Sequence, residues 1–581
     1  MSTKHFVSDI DFLVLTALEE LVLTNPEVIY YKDQKVVAQI SENSKDVAVI
    51  SGGGAGHEPA HAGFVGAGML TAAVSGWIFA SPSVAQISHA IGSANNGPAG
   101  VLLIIKNYTG DIFHFSLAAE KARSQGIPVE IVIVGDDVAV GRTKSGKVGR
   151  RGLAGTVLVH KIAGALSAEH KSLEEIAAIA RETAANLVTI GVSLGHVHIP
   201  GRKIEKENLL GPDEVELGLG IHNERGFKRI SPIPKHPEIV STLIDQLVLQ
   251  DDPERSFVDF ADSEEIILLL NNLGGLSPLE LGSITAEVVS QLTARGLRPS
   301  RLFRGTYMTS LDGPGFSITL LKTRTALLPF FDAPTNAVGF TPGTVLAGVE
   351  DVRSRIIENF RVPNMTAQVT GGLTVIADTS SFKRAVTNAA AKVIVAEPKI
   401  TNFDTVVGDG DCGYTLKRAA TAASDFVSNL SDKEDITVTT LAKLADAIEK
   451  NMDGTSGAIF GIFLHALATA VTSCKKKLDV NDWATAARDA LEKLYLATPA
   501  RVGDRTLMDA LVPFVETLML TKSSTEAAIA ARKGAESTCG MNASLGRAVY
   551  VDASGYDIVP DPGAIGIAEL VEGLTSFVVK D

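Results

Sequence analysis

The chain has 581 residues, enough for two to four domains, and its 45% apolar and 21% charged content is that of an ordinary globular protein. A net charge of −14 with a pI near 5.4 argues against a nucleic-acid footprint, though a local site can still be positive toward a small anion. No run approaches 18 apolar residues, the N-terminus has no apolar signal core, and Val-Val-Lys-Asp at the end is no peroxisomal address. Cys412, Cys474 and Cys539 lack zinc or disulfide spacing, so a reduced, soluble, cytoplasmic protein is expected, with no nucleic-acid or membrane partner.

Residues 1 to about 340 alternate short β-rich runs with helical segments, the pattern of an α/β sheet covered by helices. Val47–Ile50, Val101–Ile105, Val129–Val134 and Ile266–Leu270 read as buried strands; Ser116–Gln125, Leu173–Ala185 and Pro278–Ala294 read as helices. After the first strand comes Gly52-Gly53-Gly54-Ala55-Gly56-His57-Glu58-Pro59, read as a glycine loop leading into a helix, with Pro59 in the first turn. Glycines let the backbone approach a ligand closely, and N–H groups at a helix start suit a polar or anionic one. His57 and Glu58 stand at its lip.

Two motifs fail on inspection. His57-Glu58-Pro59-Ala60-His61 spells H-E-x-x-H, but that metalloprotease signature needs a continuous helix, which a glycine loop and Pro59 deny. Gly141 to Val148 nearly spells a Walker A loop, yet Val148 stands where Ser or Thr would bind Mg²⁺, so it reads as a basic surface turn. Val101–Asp111 and Ile266–Gly275 share a strand, polar loop and helix arrangement, which suggests two α/β lobes. Ligands of open α/β sheets sit beyond the C-terminal strand ends, which places Lys106, Asn107, Thr109 and Asp111 at a site edge.

From Phe331 to about Ser381 Pro and Gly punctuate a linker, with one helix expected near Val349–Asn359. From Phe382 onward Ala, Leu and Lys recur at helical spacing, so an all-α domain of six to eight helices is expected, ending near Phe577. Within it, Asp404, Asp409 and Asp411 lie at i, i+5 and i+7, which no single helix face unites but a glycine loop can. Three close carboxylates repel one another without a cation, and oxygen donors suit Mg²⁺ held with substrate phosphates. An EF-hand is excluded by the absent Glu at its last position. Three further loops, Met452–Gly457, Gly503–Leu507 and Asp561–Ala564, can offer donors at helix starts, which together suggest a Mg-nucleotide site without a Walker A loop.

These motifs match one family. Gly52–Leu70 with its glycines and His57, Lys106–Asp111 (KNYTGD), Gly218–Glu224 (GLGIHNE), Gly408–Gly413 (GDGDCG), Gly454–Ala458 (GTSGA) and Asp561–Ala564 (DPGA) resemble, in order and over nearly the whole chain, the ATP-dependent dihydroxyacetone kinases of the fungal single-chain type. The resemblance implies a two-lobed α/β substrate domain over residues 1–343, dividing near residue 195. A linker over 344–380 and an all-α, eight-helix barrel nucleotide domain over 381–581 would follow. It implies a homodimer.

By the same resemblance, His222 would bind the substrate carbonyl covalently, Asp111 would act as general base, and His57 would hydrogen-bond substrate and assist proton transfer. Gly53, Gly54, Ala55 and Gly56 would shape the pocket and Lys106 would help close it. ATP would lie on Asp411, Cys412, Gly413, Tyr414, Thr455, Ser456, Thr498, Thr506, Leu507, Asp561, Pro562 and Gly563, with Mg²⁺ on Asp404, Asp409 and Asp411. The chain departs from the common pattern at Ala55, where many relatives carry Ser, and at Leu507, where Met is frequent; the first removes a hydroxyl and the second conserves volume.

The implied chemistry is coherent. An imidazole nitrogen adds to a ketone or aldehyde carbon but not to an alcohol carbon, so dihydroxyacetone and glyceraldehyde would be selected over glycerol. Phosphoryl transfer would then rest on positioning and charge neutralisation. Three alternatives stay open: a phosphotransferase-protein donor, which the fused chain disfavours; flavin cyclisation, as in some animal relatives; and a non-catalytic sensor, disfavoured because His222, Asp111 and all three aspartates are present.

Overall fold

Six strands form the first sheet: β1 (Val28–Tyr31), β2 (Val36–Gln39), β3 (Ala48–Ala55), β4 (Ala72–Ile78), β5 (Val101–Lys106) and β6 (Val129–Val134), in the order β1-β2-β4-β3-β5-β6. β4, β3, β5 and β6 run parallel, and β1 and β2 close one edge antiparallel. The near-continuous apolar runs of β3 and β5 follow from burial on both faces. Val49, Leu102 and Ile104 enter one core, with the helices Thr156–Ala168 and Leu173–Ala185. Ile50, Leu103 and Ile105 enter the other, with Val84–Ala94 and Thr109–Ser124.

The second sheet has β7 (Leu187–Ser193), β8 (Val215–Leu217), β9 (Lys228–Ile230), β10 (Glu265–Asn272), β11 (Arg301–Gly305), β12 (Gly315–Thr323) and β13 (Thr344–Val345), ordered β13-β11-β10-β12-β7-β8-β9. Only β10 and β11 pair in parallel. Leu268, Leu270, Ile318 and Leu320 face the helices His236–Val248 and Pro278–Ala294. Ile267, Leu269 and Leu321 point the other way, into the core of the first lobe, so the two lobes share one interior.

This computed structural model describes residues 4–7, 9–40, 45–94, 99–202, 209–346, 354–357, 375–431, 435–472, 476–545, 549 and 557–575. It falls into two units, residues 1–358 and 359–581. The helix expected near Val349–Asn359 lies largely outside the described residues, as do Cys474 and Phe577.

Three expected elements, Val129–Val134, Leu173–Ala185 and Pro278–Ala294, have the observed bounds. The helix expected from Ser116 starts earlier, at Thr109, because Asp111 in its first turn suits the positive helix end. One local expectation is corrected: no α-helix follows the glycines. Gly52–Ala55 continue β3 itself. A Cβ on Gly54 would lie 2.7 Å from Ala80 N, so glycine permits the chain after β4 to press against this strand. The carbonyls of Gly56 and His57 accept from Leu311 and Thr309 N–H at 2.8 and 3.1 Å. Those bonds draw the segment away from helix and tie it to the loop between β11 and β12.

Among the described residues the second unit contains eight helices: Thr379–Val407, Cys412–Ser428, Val438–Glu449, Gly454–Ala470, Val480–Ala497, Met508–Thr521, Ser524–Ser537 and Pro562–Thr575. Each packs on the next, and the last packs on the first, so the ring closes. A small ribbon, Val375–Ala377 with Ile436–Thr437, is added where no strand was expected. Asp378, Thr437, Asp479 and Ser523 accept backbone N–H bonds at helix starts. Glycine permits the closest contacts: a Cβ on Gly413 would lie 2.1 Å from Thr401 Oγ1, and one on Gly573 2.4 Å from Ala389 Cα.

Successive neighbours in such a ring alternate in direction. Helices two, four, six and eight therefore begin at one end of the barrel, where Asp404–Cys412, Asp453–Ser456, Thr498–Leu507 and Asp561–Gly563 all lie.

Candidate active site

The first cluster forms where strand order reverses. β3 lies between β4 and β5, and in such sheets the crevice beyond the strand ends is the binding place. β3 delivers Gly53 and Ala55 and then His57, β5 ends on Lys106, and the helix after it carries Asp111. His57, Lys106 and Asp111 are all buried. The opposite wall comes from the second lobe, through the loop after β8 that bears His222 and the loop bearing Thr309.

His222 is held from several sides. Its Nδ1 meets Glu224 Oε1 at 2.9 Å, and its backbone N–H donates to Glu224 Oε2 at 2.8 Å. Asn223 adopts a positive φ of 64°, tolerable for Asn, and brackets the backbone of Val197 with two 2.9 Å bonds. Arg151 pairs with Asp137 at 2.6 Å and donates to Gly218 O at 2.8 Å. A Cβ on Gly220 would lie 2.1 Å from Glu224 Oε2, so glycine there lets the carboxylate fold back under the loop. Tyr108 and Phe79 meet the His222 ring edge-on, at centroid distances of 4.6 and 5.1 Å.

His57 Nε2 stands 3.0 Å from His222 Nε2, and His57 Nδ1 2.8 Å from Thr309 O. A carbonyl only accepts, so His57 carries its hydrogen on Nδ1 and presents a lone pair at Nε2. Burial, then Lys106 and His222, hold His57 well below the usual histidine range. The hydrogen between the two Nε2 atoms therefore belongs to His222. Burial alone would raise the Glu224 carboxyl, but the hydrogen bonds and charge of His222, with Arg151, bring it down to about 2.

Asp111 is raised by burial, against the opposing pull of Lys106, and its Oδ1 has no hydrogen-bond partner. Burial lowers Lys106, and Asp111 chiefly opposes that. A Cβ on Gly53 would lie 3.6 Å from Asp111 Oδ2, from His61 Nε2 and from Lys106 Cε. That hydrogen-only position thus opens a space about one small group wide among polar atoms. Glu58, expected at the lip, is exposed and turns back to accept from Gly56 N–H at 2.9 Å. The near-Walker segment is a short exposed turn whose Thr143 bonds Glu254.

The second cluster occupies the common end of the four even helices. Asp404, Asp409 and Asp411 bring one oxygen each within 4.8 Å of one another. Asp404 is buried and also accepts from Cys412 N–H at 2.9 Å; the other two are exposed. Oxygen-only donors at this spacing, otherwise mutually repulsive, fit a hard divalent cation. Burial, then Asp404, Asp561 and Asp411, raises the Cys412 thiol, which keeps it protonated. Asp561 accepts from Ala564 N–H at 2.7 Å and is pushed up to about 7, mainly by loss of hydration. A Cβ on Gly563 would lie 3.4 Å from Leu507 Cβ, so the sixth and eighth helix starts touch.

Thr506 N–H and Gly503 N–H donate to the two oxygens of Asp509, at 2.8 and 2.6 Å, shaping the loop before the sixth helix. Thr498 Oγ1 accepts from Ala500 N–H, Tyr414 is exposed in the first turn of its helix, and Pro562 is buried. Thr455 and Ser456 reach this end through helix alternation alone. Gly413 is committed to helix packing and offers only backbone.

Two family models match the chain, the Dak1 domain over residues 19–339 and the DAK2 domain over residues 406–576. A dihydroxyacetone kinase of Pichia angusta is 44% identical, covering all of this chain and 99% of that one. The chain is an enzyme of the dihydroxyacetone kinase family. A triokinase/FMN cyclase of Homo sapiens is 38% identical over 99% of this chain and 99% of that protein. The dihydroxyacetone kinase of C. freundii, solved in complex with AMP-PNP and Mg²⁺, aligns over 99% of this chain and 100% of that chain with a TM-score of 0.62 and 30% identity.

In this dihydroxyacetone kinase homologue, sequence reasoning passed over Glu224, Arg151, Thr309, Arg505 and Asp509. Glu224 stood in a motif already singled out, two residues from His222. Arg505, buried and donating to Val559 O at 2.7 Å, stood in a loop already named. Thr309 and Arg151 carried no local signal, since their contacts join distant parts of the chain.

Proposed function

We propose that the chain transfers the terminal phosphoryl group of ATP to a terminal hydroxyl of dihydroxyacetone, and of glyceraldehyde, with the substrate carbonyl held covalently by His222. The observation that carries this reading is the wiring of His222: Nδ1 on a carboxylate held at about 2, and Nε2 aimed 3.0 Å from a neutral imidazole. His222 Nε2 first passes its hydrogen to the lone pair of His57 Nε2, and the lone pair so freed adds to the carbonyl carbon as the C=O π bond opens. His57 then delivers that hydrogen to the substrate oxygen, and Glu224 offsets the positive charge left on the His222 ring. Only a carbonyl carbon can be held this way, so glycerol is excluded.

Asp111 removes the hydroxyl proton of the attacking arm; its raised affinity for protons suits a base. Lys106 balances the charge beside it. In the second unit, Asp404, Asp409 and Asp411 would hold Mg²⁺, which neutralises phosphate charge when bound. Around them, the helix starts at Asp411–Tyr414, Thr455–Ser456, Thr506–Leu507 and Asp561–Gly563 offer N–H and hydroxyl donors to ATP, with Thr498 at the preceding turn. The reading retains a substrate domain over 1–343, a linker over 344–380 and a nucleotide domain over 381–581, in a cytoplasmic homodimer.

The test is carbon-13 NMR of dihydroxyacetone labelled at its carbonyl carbon. With the full chain, the bound signal moves from the ketone to the tetrahedral-carbon region; with His222→Ala it does not. A bound signal that stays ketonic in the wild type contradicts covalent capture.

A further inference from the structure

Beneath the catalytic groups lies a buried polar cluster that the reading above leaves idle. Ser51, His61 and His160 are all buried. Ser51 Oγ donates to Ile104 O at 2.7 Å, which uses its one hydrogen. Its oxygen meets His61 Nδ1 at 3.3 Å and His160 Nε2 at 3.1 Å. A hydroxyl whose hydrogen is committed can only accept, so both imidazoles donate to it. This fixes the tautomer of His61: hydrogen on Nδ1, lone pair on Nε2. Burial, then Lys106 and His160, keeps His61 neutral.

His61 Nε2 is buried without a partner. It borders the space opened by Gly53, beside Asp111 Oδ2. A buried acceptor left empty is costly, and in a native site it calls for a donor. The space at Gly53 is thus bordered by two acceptors, one charged and one neutral, with the Lys106 stem as a third wall. A hydroxyl carries a single hydrogen and can satisfy only one of them. The charged acceptor makes the stronger bond and takes the hydroxyl to be phosphorylated.

We propose that His61 is a substrate-binding residue whose Nε2 accepts a hydrogen bond from the triose hydroxyl that is not phosphorylated. Ser51 and His160 are the positioning residues that hold its tautomer. The pocket is thereby matched to a carbonyl compound with two hydroxyl donors, and the inference rests on the kinase reading above.

The experiment compares His61→Asn with His61→Gln in the full chain, reading kcat and KM for dihydroxyacetone. The Ki of hydroxyacetone, which lacks one hydroxyl, is measured as a competitive inhibitor. Asn keeps a donor near the Nδ1 position toward Ser51 but has nothing at Nε2; Gln places an oxygen acceptor near Nε2. H61N raises KM by about tenfold, the worth of one hydrogen bond with its orphaned partner, while kcat moves less. H61Q recovers part of that loss. The Ki of hydroxyacetone changes little in either, because its one hydroxyl goes to Asp111. A KM for H61N equal to that of the wild type, or a Ki that rises by the same factor as KM, overturns the assignment. No turnover of dihydroxyacetone by the wild type would instead remove the kinase reading beneath it.

Discussion

The two candidate sites solve the problem of holding charge in opposite ways. In the first unit the reactive groups are buried or, at His222 and Glu224, half-buried, and each charge has its counterpart: Glu224 against His222 and Arg151, Asp111 against Lys106. In the second unit three carboxylates converge at the end of a helix ring, two of them exposed, with helix starts around them. The first arrangement is finished by the fold, since its protonation states follow from burial and hydrogen bonds. The second is completed only by what it binds. A buried site tolerates few substitutions and reads its substrate by shape and donor count, whereas an exposed acidic turn reads a cation and a phosphate chain by charge.

The comparison breaks most visibly at Asp111. Asp111→Asn leaves the pocket's shape but removes the proposed base, and kcat is expected to fall by about 10²–10⁴-fold. A loss below tenfold in steady-state kinetics would move the base elsewhere.

Gly53 and Gly54 sharpen it next, because adjacent glycines serve different ends. A Cβ at Gly53 has 3.6 Å of clearance and would merely occupy the space proposed for substrate. Gly53→Ala therefore raises KM by about 10–200-fold, the worth of one misplaced carbon, without loss of stability. A Cβ at Gly54 meets Ala80 N at 2.7 Å, so Gly54→Ala destabilises by about 1–3 kcal/mol in urea unfolding. Equal behaviour of the two variants would refute the distinction between site glycine and packing glycine.

In the second unit, Asp409→Asn raises the Mg²⁺ concentration for half-maximal rate by about 10–100-fold, as losses of metal-supporting groups do. The carbonyl-labelled dihydroxyacetone signal is unaffected. An unchanged Mg²⁺ requirement would take Asp409 out of the metal set.

A last effect is on stability against pH. Burial, then Lys106, lowers His160 from an ordinary 6.5 to about 3. Between those values the unfolded chain binds a proton at this position that the native chain does not. Stability from this residue therefore falls as pH drops from 6.5 toward 3, by about 1.4 kcal/mol per pH unit. His160→Phe flattens the pH dependence of unfolding by one proton; an unaltered slope would mean His160 titrates normally.

These tests also mark what was legible from residues alone. Strand and helix positions in the first unit followed from apolar runs flanked by glycine and polar turns, because burial on both faces of β3 and β5 leaves a continuous signature. Lys106 and Asp111 could be placed at a site edge because the strand-end rule needs only local order. The fate of Gly52–His57 was misread because the partners that hold the segment, β4 for Gly52–Ala55 and the loop at Thr309–Leu311 for Gly56 and His57, lie further along the chain. His222 was a lone histidine until Glu224, Asn223 and Arg151 were seen to fix it, and the family resemblance supplied what local pattern could not. The neutral acceptor at His61 depends on a hydroxyl 10 residues before it and an imidazole 109 residues beyond that hydroxyl, a relation no periodicity encodes.

The central claim is that a carbonyl-selective pocket and a cation-dependent nucleotide site together make a kinase for short carbonyl sugars. Its most direct test is ATP- and Mg²⁺-dependent phosphorylation of dihydroxyacetone against glycerol, for wild type and His222→Ala. The account predicts turnover of dihydroxyacetone alone, greatly reduced in the variant. Equal rates in variant and wild type, or phosphorylation of glycerol by the wild type, would contradict selection through His222.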